Sequence, residues 1–401
     1  MRSKSILFCT ALLTAIGFVS CSEDENIVSE NNVTVPATYE FNRGNESTVD
    51  FSGQSNRLLM LTEMGNYIKN QAVAATVVDV AVLNNMYANQ NDPFSTTEMN
   101  TSGKQLKDKT AASRDYFVNL SGGGSAIEQT EVRAFFESQF ADANAASQGN
   151  NAEANVAGKY LDGSSVRLFA ANGLEPQQVL LKGMMGACFM DQIVNNYLST
   201  AVLDEGNNKV NNSNKVLESD KSYTKMEHLW DEAYGYVYGA DGGKFWDSYI
   251  NQVNADADFN TIKNDIELAF RKGRAAIVAN NYAVRDAQIK IIKTKLALVP
   301  AVRAVYYLKE GKGKLITDNG AKAFHALSEA YGFIMAIRYT NNPITNAPYF
   351  SKTEVNVILS DLTAGTNGLW DVDYLDTKLD ELATTIATRF NFTVDQAATV
   401  N

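Results

Sequence analysis

Residues 228–237 read HLWDEAYGYV, and residues 325–334 read HALSEAYGFI. Five of the ten positions are identical, and the only two histidines of the chain occupy the same place in both segments. Residues four positions apart share a face of a helix, so His228 is expected to meet Glu232, and His325 to meet Glu329. The two segments therefore predict two related helices, each with a His–Glu pair on one face.

A second pair of segments extends the similarity upstream. The segment Gln178–Tyr197 lines up with Gln288–Tyr307, each with 19 residues from Gln to Tyr. Together with the histidine segments, they predict an internal duplication: a long buried helix, a loop, and a helix with the motif H-x-x-x-E-A-Y-G. We divide the single helical domain, residues 39–401, into two pseudo-repeat halves, about 39–240 and 241–401.

The rest of the chain is also typical of helices. Few alternating β-branched runs occur after residue 52, and the chain contains only six prolines. Helical periodicity predicts helices from 57 onward and over about 72–87, 125–146, 174–200, 224–238, 260–283, 285–309, 319–338 and 372–390. Residues 39–51 alternate apolar and polar side chains around a turn, which predicts a β-hairpin. The predicted fold is all-α, with two related helical-bundle halves and a short N-terminal β-hairpin.

The N-terminus is typical of an exported protein. Arg2 and Lys4 precede a mainly apolar stretch over 6–19, which is too short to span a membrane and is typical of a signal peptide. Phe18-Val19-Ser20-Cys21 resembles a lipobox, in which Cys21 becomes the acylated first residue. The alternative is an ordinary signal peptide cleaved near Ser20.

The residues after Cys21 indicate where the protein is sent. Ser22-Glu-Asp-Glu25 resembles the acidic tag that directs lipoproteins of the Bacteroidota to the outer cell surface. We therefore expect a lipoprotein signal peptide over 1–20, an acylated tether over 21–38, and an outer-membrane protein that is lipid-anchored and exposed at the cell surface. Such a protein is anchored to the membrane and does not span it.

Composition excludes two classes of protein. The chain has 35 Lys and Arg against 46 Asp and Glu, a formal charge of −11, which argues against nucleic acid as a partner. Cys188 is the only cysteine left once Cys9 is cleaved off and Cys21 is lipidated, so the mature chain cannot form an intramolecular disulfide. We expect Cys188 to be a small buried residue.

The two His–Glu pairs allow three interpretations. If the two copies come together, His228, Glu232, His325 and Glu329 form a two-imidazole, two-carboxylate set suited to a divalent metal such as iron or zinc. If they stay apart, each pair makes an intrahelical hydrogen bond between tightly packed helices. The third interpretation is a ligand pocket that uses one copy only.

Three neighbouring residues are further candidates for ligand binding. Tyr234 and Tyr331 follow the two pairs, and Asp231 belongs to the first copy only, since Ser328 stands in its place in the second. Glu227 is expected to be engaged in a capping box at the start of its helix.

Three stretches resemble a known family. Arg57-Leu-Leu-Met-Leu61, Gly183-Met-Met-Gly-Ala187 and, above all, Glu227-His-Leu-Trp-Asp-Glu-Ala-Tyr-Gly-Tyr236 resemble Bacteroidota lipoproteins catalogued as domain of unknown function 4856. The resemblance covers nearly the whole mature chain and implies no activity. More distantly, the chain is similar to imelysin-like proteins, which implies a two-half helical fold and a link to iron uptake. Their motif is G-x-H-x-x-E, and Met226 and Asp231 stand here in the places of its Gly and Glu.

These observations favour binding over catalysis. The sequence has no H-E-x-x-H and no G-x-S-x-G motif. We expect a surface-anchored, non-enzymatic protein that binds a metal ion or a metal-bearing ligand and works with an outer-membrane uptake receptor. The alternative is a glycan- or peptide-binding lipoprotein accessory to an outer-membrane uptake system, which would show an exposed aromatic patch and a concave face away from both histidines.

Overall fold

The computed structural model describes residues 33–117 and 126–399. The predicted signal peptide, Cys21 and the first residue of the helix predicted over 125–146 lie outside these residues. The α-helices are α1 (Ser52–Ala74), α2 (Val80–Ala88), α3 (Thr97–Thr101), α4 (Ala126–Ala146), α5 (Pro176–Met184), α6 (Thr200–Leu203), α7 (Asn208–Ser213), α8 (Lys225–Tyr238), α9 (Trp246–Ala255), α10 (Ile262–Val278), α11 (Tyr282–Lys314), α12 (Ala321–Ile337), α13 (Lys352–Leu362), α14 (Val372–Arg389) and α15 (Val394–Ala398). In this described part, no helix is long and apolar enough to cross a membrane.

The long helix α11 organises the bundle. It packs against α10, α12 and α14, and α12 in turn packs against α5. Almost every face of α12 is apolar and buried, as expected for a helix surrounded by others. The mainly helical architecture predicted from the sequence is confirmed.

The predicted buried helix over 174–200 has an unusual form. After α5, the chain continues as π-helix over Met185–Met190 and Ile193–Tyr197. Gly186 lies in the first π-helix, where an added Cβ would come within 2.4 Å of the Ala336 Cα on α12. The glycine therefore lets the two backbones approach closely.

The N-terminal hairpin is confirmed, and a second hairpin was not predicted. β1 (Asn42–Arg43) pairs antiparallel with β2 (Glu46–Ser47) around Gly44, which has a φ of +64°. β3 (Gly158–Asp162) pairs antiparallel with β4 (Ser165–Phe169). The signal that sequence reasoning missed is the Asp-Gly dipeptide at 162–163, which favours tight hairpin turns.

Helix boundaries also differ from the prediction. The predicted helix over 72–87 is interrupted. Helix α1 ends at Ala74, its C-cap Ala75 lies in the left-handed region with a φ of +52°, and Asp79 caps the new helix α2. Helices α9 and α13 were not predicted. The capping box of Ser351 and Glu354 at the start of α13 was a readable signal.

Candidate ligand-binding site

The two His–Glu pairs lie on different helices and have the same internal geometry. His228 and Glu232 are on α8, and His325 and Glu329 are on α12. In each pair, the histidine Nε2 lies 3.9 Å from a glutamate Oε2. Both pairs therefore sit on one helix face each, as the four-residue spacing predicts.

A close helix crossing surrounds each pair in the same way. On α8, a Cβ at Gly235 would lie 3.0 Å from the Gln54 Cβ, and the Gln54 amide donates a 2.8 Å hydrogen bond to Glu232. On α12, a Cβ at Gly332 would lie 2.4 Å from the Lys182 Cβ, and the Lys182 ammonium pairs with Glu329 at 2.8 Å. At both crossings, one of the residues packed on the glycine also holds the glutamate, although Phe51 lies closer to Gly235 than Gln54 does.

The tyrosines aligned in the sequence also occupy matching places. The Tyr197 hydroxyl faces the carboxylate of Glu232, and the Tyr307 hydroxyl faces that of Glu329. Tyr197 ends the second π-helix, and α6 and α7 follow it before α8, whereas Tyr307 lies on α11, the α-helix before α12. The two copies thus share a Tyr–Glu–His arrangement.

The carboxylates around the second His–Glu pair already have cationic partners. Burial opposes ionisation of Glu329, but the nearby Lys182 and His325 outweigh it and hold the pKa of Glu329 below its ordinary value. His325 Nδ1 also lies 2.7 Å from Glu175 and 2.8 Å from the guanidinium of Arg167. Each carboxylate here already has a cationic partner, which a metal ion would have to displace.

The side chains of the first His–Glu pair have fewer charged partners. Glu232 accepts its hydrogen bond from the neutral amide of Gln54 instead of from a lysine. The imidazole of His228 stacks on the ring of Tyr223, with centroids 4.5 Å apart, and its Nδ1 is buried with no hydrogen-bond partner among the described residues. Of the two histidines, His228 is therefore the one with a ring nitrogen that no described side chain engages.

The structure places the four predicted metal ligands in two separate sets of contacts. The contacts of His228 and those of His325 share no residue. Within the described ranges, no group of three or more His, Cys, Asp or Glu side chains is arranged to hold a metal ion. A bare zinc or iron ion needs at least three protein ligands, and each His–Glu pair supplies two. The divalent-metal assignment stays a prediction.

Asp231, a predicted ligand residue, lies in the interior. Its carboxylate accepts hydrogen bonds from the Tyr39 hydroxyl at 2.7 Å and the Arg274 Nε at 2.9 Å. Burial raises the pKa of Asp231 to about 6, against the opposing effect of Arg274 and Tyr39. Arg274 also donates to the carbonyl and hydroxyl oxygens of Thr48, at 3.2 and 3.0 Å. Asp231 therefore anchors the N-terminal hairpin segment to α8.

Glu227 has the role expected from the sequence. Thr224 and Glu227 form a capping box at the start of α8. The Glu227 carboxylate also accepts hydrogen bonds from Arg43 in β1, at 2.9 and 3.1 Å. This residue thus joins the helix start to the hairpin.

A cleft of about 740 Å³ lies between this hairpin, α1 and the end of α8. We call it the hairpin cleft. Its walls are Tyr39, Glu40, Asn42, Ser47, Val49, Asp50, Phe51, Ser52, Ser55, Asn56, Leu58, Leu59, Glu98, Tyr234, Tyr238, Gly239, Ala240, Asp241, Gly242 and Lys244. Neither histidine lines it.

Aromatic rings form one wall of the hairpin cleft. Tyr234 stacks on Tyr39 with centroids 3.6 Å apart, and Tyr238 lies 4.6 Å from Tyr234. The Tyr238 hydroxyl is buried without a hydrogen-bond partner in the described part of the chain. Tyr331, the counterpart of Tyr234, instead lines a separate cavity of about 180 Å³ with Phe135. The two predicted ligand tyrosines are therefore not brought together.

The rim of the hairpin cleft is acidic. Four carboxylates, those of Glu40, Asp50, Glu98 and Asp241, line it against a single cation, Lys244. Burial opposes ionisation of Asp50, but hydrogen bonds from Ser52 and Lys221 outweigh it and lower its pKa to about 2. The cleft thus combines tyrosine faces with excess negative charge.

Comparison with protein families identifies most of the chain. The family model described as "Domain of unknown function (DUF4856)" matches residues 36–393. The chain belongs to the DUF4856 family. No curated protein and no solved structure matches the chain significantly.

Sequence reasoning about this DUF4856 protein missed most of the hairpin cleft. It identified Tyr234 and did not identify Tyr39, Tyr238 or Glu98. The signal available was weak, because Tyr39 lies almost 200 residues before its stacking partner. The tyrosine spacing on α8, at positions 234 and 238, was a readable sign of an aromatic stripe.

Proposed function

We propose that this DUF4856 protein is a lipid-anchored, surface-exposed binding protein without enzymatic activity, and that the hairpin cleft binds a peptide segment with basic side chains. The lipobox around Cys21 and the acidic tag after it support the location. The hairpin cleft supports the binding role. As a peptide-binding accessory, the protein would pass its ligand to an outer-membrane uptake receptor.

The composition of the cleft supports a basic peptide as the ligand. Lysine and arginine side chains are attracted both by carboxylates and by the faces of tyrosine rings. This cleft has three tyrosines and four carboxylates, of which Asp50 and Asp241 pair with Lys221 and Lys244, and Glu40 and Glu98 face the ligand without such a partner among the described residues. The unpartnered Tyr238 hydroxyl can hydrogen-bond a peptide carbonyl or amide. A volume of about 740 Å³ is within the range of small-ligand sites and holds a few residues of an extended peptide.

Fluorescence anisotropy with a labelled octapeptide of alternating lysine and glycine tests the proposal. The exposed carboxylates allow substitutions that do not disturb the core, so we choose Glu40→Gln and Glu98→Gln. Each is expected to weaken binding by about two- to fivefold, the effect of one solvent-screened charge pair. Raising the salt from about 0.05 M to about 0.5 M is expected to weaken binding further.

One control and one further variant complete this experiment. Glu381→Gln removes an exposed carboxylate on α14, outside the cleft, and is expected to leave binding unchanged. Tyr238→Phe removes only the unpartnered hydroxyl and is expected to weaken peptide binding. Binding of a neutral oligosaccharide such as cellohexaose, with no binding of the lysine peptide, would refute the peptide proposal and favour the glycan alternative.

A metal-bearing ligand is the second candidate, and one observation favours it. The His228 Nδ1 is buried without a partner in the described chain, and the His228 side chain is partly exposed. One or two protein donors suffice for a metal that arrives with its own ligands, whereas a bare ion needs more.

Metal analysis of protein purified without chelator, for the native chain, His228→Ala and His325→Ala, tests this candidate. Stoichiometric metal that is lost in His228→Ala alone supports a site in the first copy. Loss in both variants supports the shared site predicted from the sequence. If no metal is present and both variants melt at lower temperature, the histidines are structural.

We also propose that the two halves arose by duplication. The matched features support this: the 3.9 Å His–Glu distance in both copies, the packed glycine, and the tyrosine that faces each glutamate. The partners of the two glutamates differ, since Gln54 holds Glu232 and Lys182 holds Glu329, and both partners come from the first half.

A further inference from the structure

A second cavity lies beside the first half of α11. It has a volume of about 390 Å³ and is bounded by residues 198–201, by α11 and by the loop over 341–346. We call it the α11 cavity. A smaller cavity of about 160 Å³ shares Asp115, Asn341 and Asn346 with it. Neither cavity shares a lining residue with the hairpin cleft.

Lys293 on α11 lines the α11 cavity and has an uncompensated charge. Its side chain belongs to the interior, since the residue is 6% exposed. No described residue lies within hydrogen-bond or ion-pair distance of its ammonium, and Asp115 acts on it only as a more distant charge. Burial lowers the pKa of Lys293 to about 8. Buried lysines are almost always paired, and the described residues supply no partner for this one.

Asn341 supplies an unused acceptor in the same cavity. The residue is 4% exposed, and its amide donates to the Asn195 Oδ1 at 3.4 Å. Its own Oδ1 is buried with no partner among the described residues. Few buried polar groups in folded proteins are left unpaired, and a ligand is one of the few explanations for such a group.

Side chains of both charges line the α11 cavity. Asp115 and Asp286 contribute carboxylates, of which Asp286 pairs with Arg285 at 2.7 Å, and Lys290 and Lys293 contribute ammonium groups. A lining with both charges complements a zwitterion better than it complements an anion or a cation. The volume of about 390 Å³ lies at the lower end of small-molecule sites.

We propose that the α11 cavity is a binding site for a free α-amino acid, whose carboxylate pairs with the Lys293 ammonium and whose amino group donates to the Asn341 Oδ1. The carboxylate compensates the buried cation, and the ammonium compensates the buried acceptor. This site is independent of the hairpin cleft and of its peptide.

Thermal denaturation of the full chain with each of the twenty standard amino acids, at about 5 mM, tests the proposal, because a ligand that binds only the folded state raises the melting temperature. At least one amino acid is expected to raise it, and isothermal titration calorimetry then measures the affinity. Lactate, which has a hydroxyl in place of the ammonium, is the matched comparison ligand. A rise with lactate and with none of the amino acids would overturn the assignment to amino acids.

Two lysine variants distinguish a ligand site from a structural role. Lys293→Met is expected to raise the melting temperature without ligand, since it removes an unpaired buried charge, and to lower the affinity for the amino acid at least tenfold. Lys295→Met is the matched control on the same helix, where the lysine pairs with Asp265 near the surface at 2.7 Å; it is expected to change neither. A response to amino acids that persists undiminished in Lys293→Met would overturn the proposal.

Chemical labelling gives a readout that does not depend on stability. Acetylation of the native protein with acetic anhydride, followed by mass spectrometry of peptides, measures the reactivity of each lysine. The amino acid found above is expected to protect Lys293 and to leave Lys295 unprotected. Equal labelling of Lys293 with and without the amino acid contradicts the proposed contact.

Discussion

Replacing Arg274 by methionine tests how the floor of the hairpin cleft is held in place. The Arg274 side chain is fully buried, and its guanidinium lies 2.9 Å from Asp231 and 3.3 Å from Glu227. It also donates two hydrogen bonds to Thr48, next to β2. One cation thus joins the hairpin segment to two acids of α8.

The expected loss of stability follows from the charges left behind. Glu227 keeps Arg43 at 2.9 Å, whereas Asp231 keeps only the Tyr39 hydroxyl. Removing one partner of a buried ion pair costs about 3–5 kcal/mol, because the other charge stays buried and uncompensated. We therefore expect Arg274→Met to lower the free energy of unfolding by about that amount near neutral pH.

The loss is expected to depend on pH in one direction. Burial raises the pKa of Asp231 to about 6 in the folded state, above its ordinary value, so the folded state binds the carboxyl proton more tightly than the unfolded state does. The contribution of Asp231 to stability therefore falls as the pH rises from its ordinary pKa to about 6, and it stays low above that pH. Without Arg274, the pKa of Asp231 rises further. Between about pH 7.5 and about pH 6 the effect of the substitution should then shrink by up to about 2 kcal/mol, since one pKa unit corresponds to about 1.4 kcal/mol.

Urea unfolding, followed by the fluorescence of the buried Trp230 and Trp246, measures these values. In the Arg274→Met background, adding Asp231→Asn removes the uncompensated charge and should recover part of the loss at about pH 7.5. Arg389→Met, which breaks a surface pair with Glu354 at 2.8 Å, is the control and should cost about 1 kcal/mol or less. A cost for Arg274→Met below about 1 kcal/mol, or one that neither pH nor Asp231→Asn changes, would refute the reasoning.

Three further predictions concern packing, the anchor and the buried lysine. Gly332→Ala places a Cβ within 2.4 Å of the Lys182 Cβ and should lower the free energy of unfolding by about 1–3 kcal/mol. Gly313→Ala, which has open space around it, is the control and should raise the free energy of unfolding by about 0.5–1 kcal/mol. Urea unfolding measures both values, and equal effects would contradict the close crossing of the helices. Cys21→Ser should abolish labelling with radioactive palmitate and shift the protein from the membrane to the soluble fraction, and unchanged fractionation would count against the lipid anchor. For Lys293, the folded pKa of about 8 lies below the unfolded value of about 10.4, so the cost of burying its charge, about 3 kcal/mol, is full below pH 8 and vanishes as the pH rises towards 10.4. The stability advantage of Lys293→Met over the native chain should therefore disappear over that range, and an advantage that does not change with pH would contradict this reasoning.

Local patterns in the sequence carried most of the secondary structure. Helical periodicity located α1, α4, α8, α11, α12 and α14, and the alternation around Gly44 located the first hairpin. The capping box of Thr224 and Glu227 was readable because it depends on residues three positions apart. The π-helical turns after α5 were not readable, because no residue pattern in the sequence distinguishes them from an ordinary α-helix.

The sequence by itself determined the features that depend on neighbours in the chain: the helical character and the His–Glu pair on each of two helices. The lipobox is a prediction from a local pattern of the same kind. Only the tertiary structure decided which side chains meet. It placed the two pairs in separate surroundings, brought Tyr39 onto Tyr234, and left Lys293 beside a cavity with no partner among the described residues. The physical reason is that helix formation and capping act over a few residues, whereas a cleft is formed by side chains from distant segments, and their contacts depend on how whole helices pack.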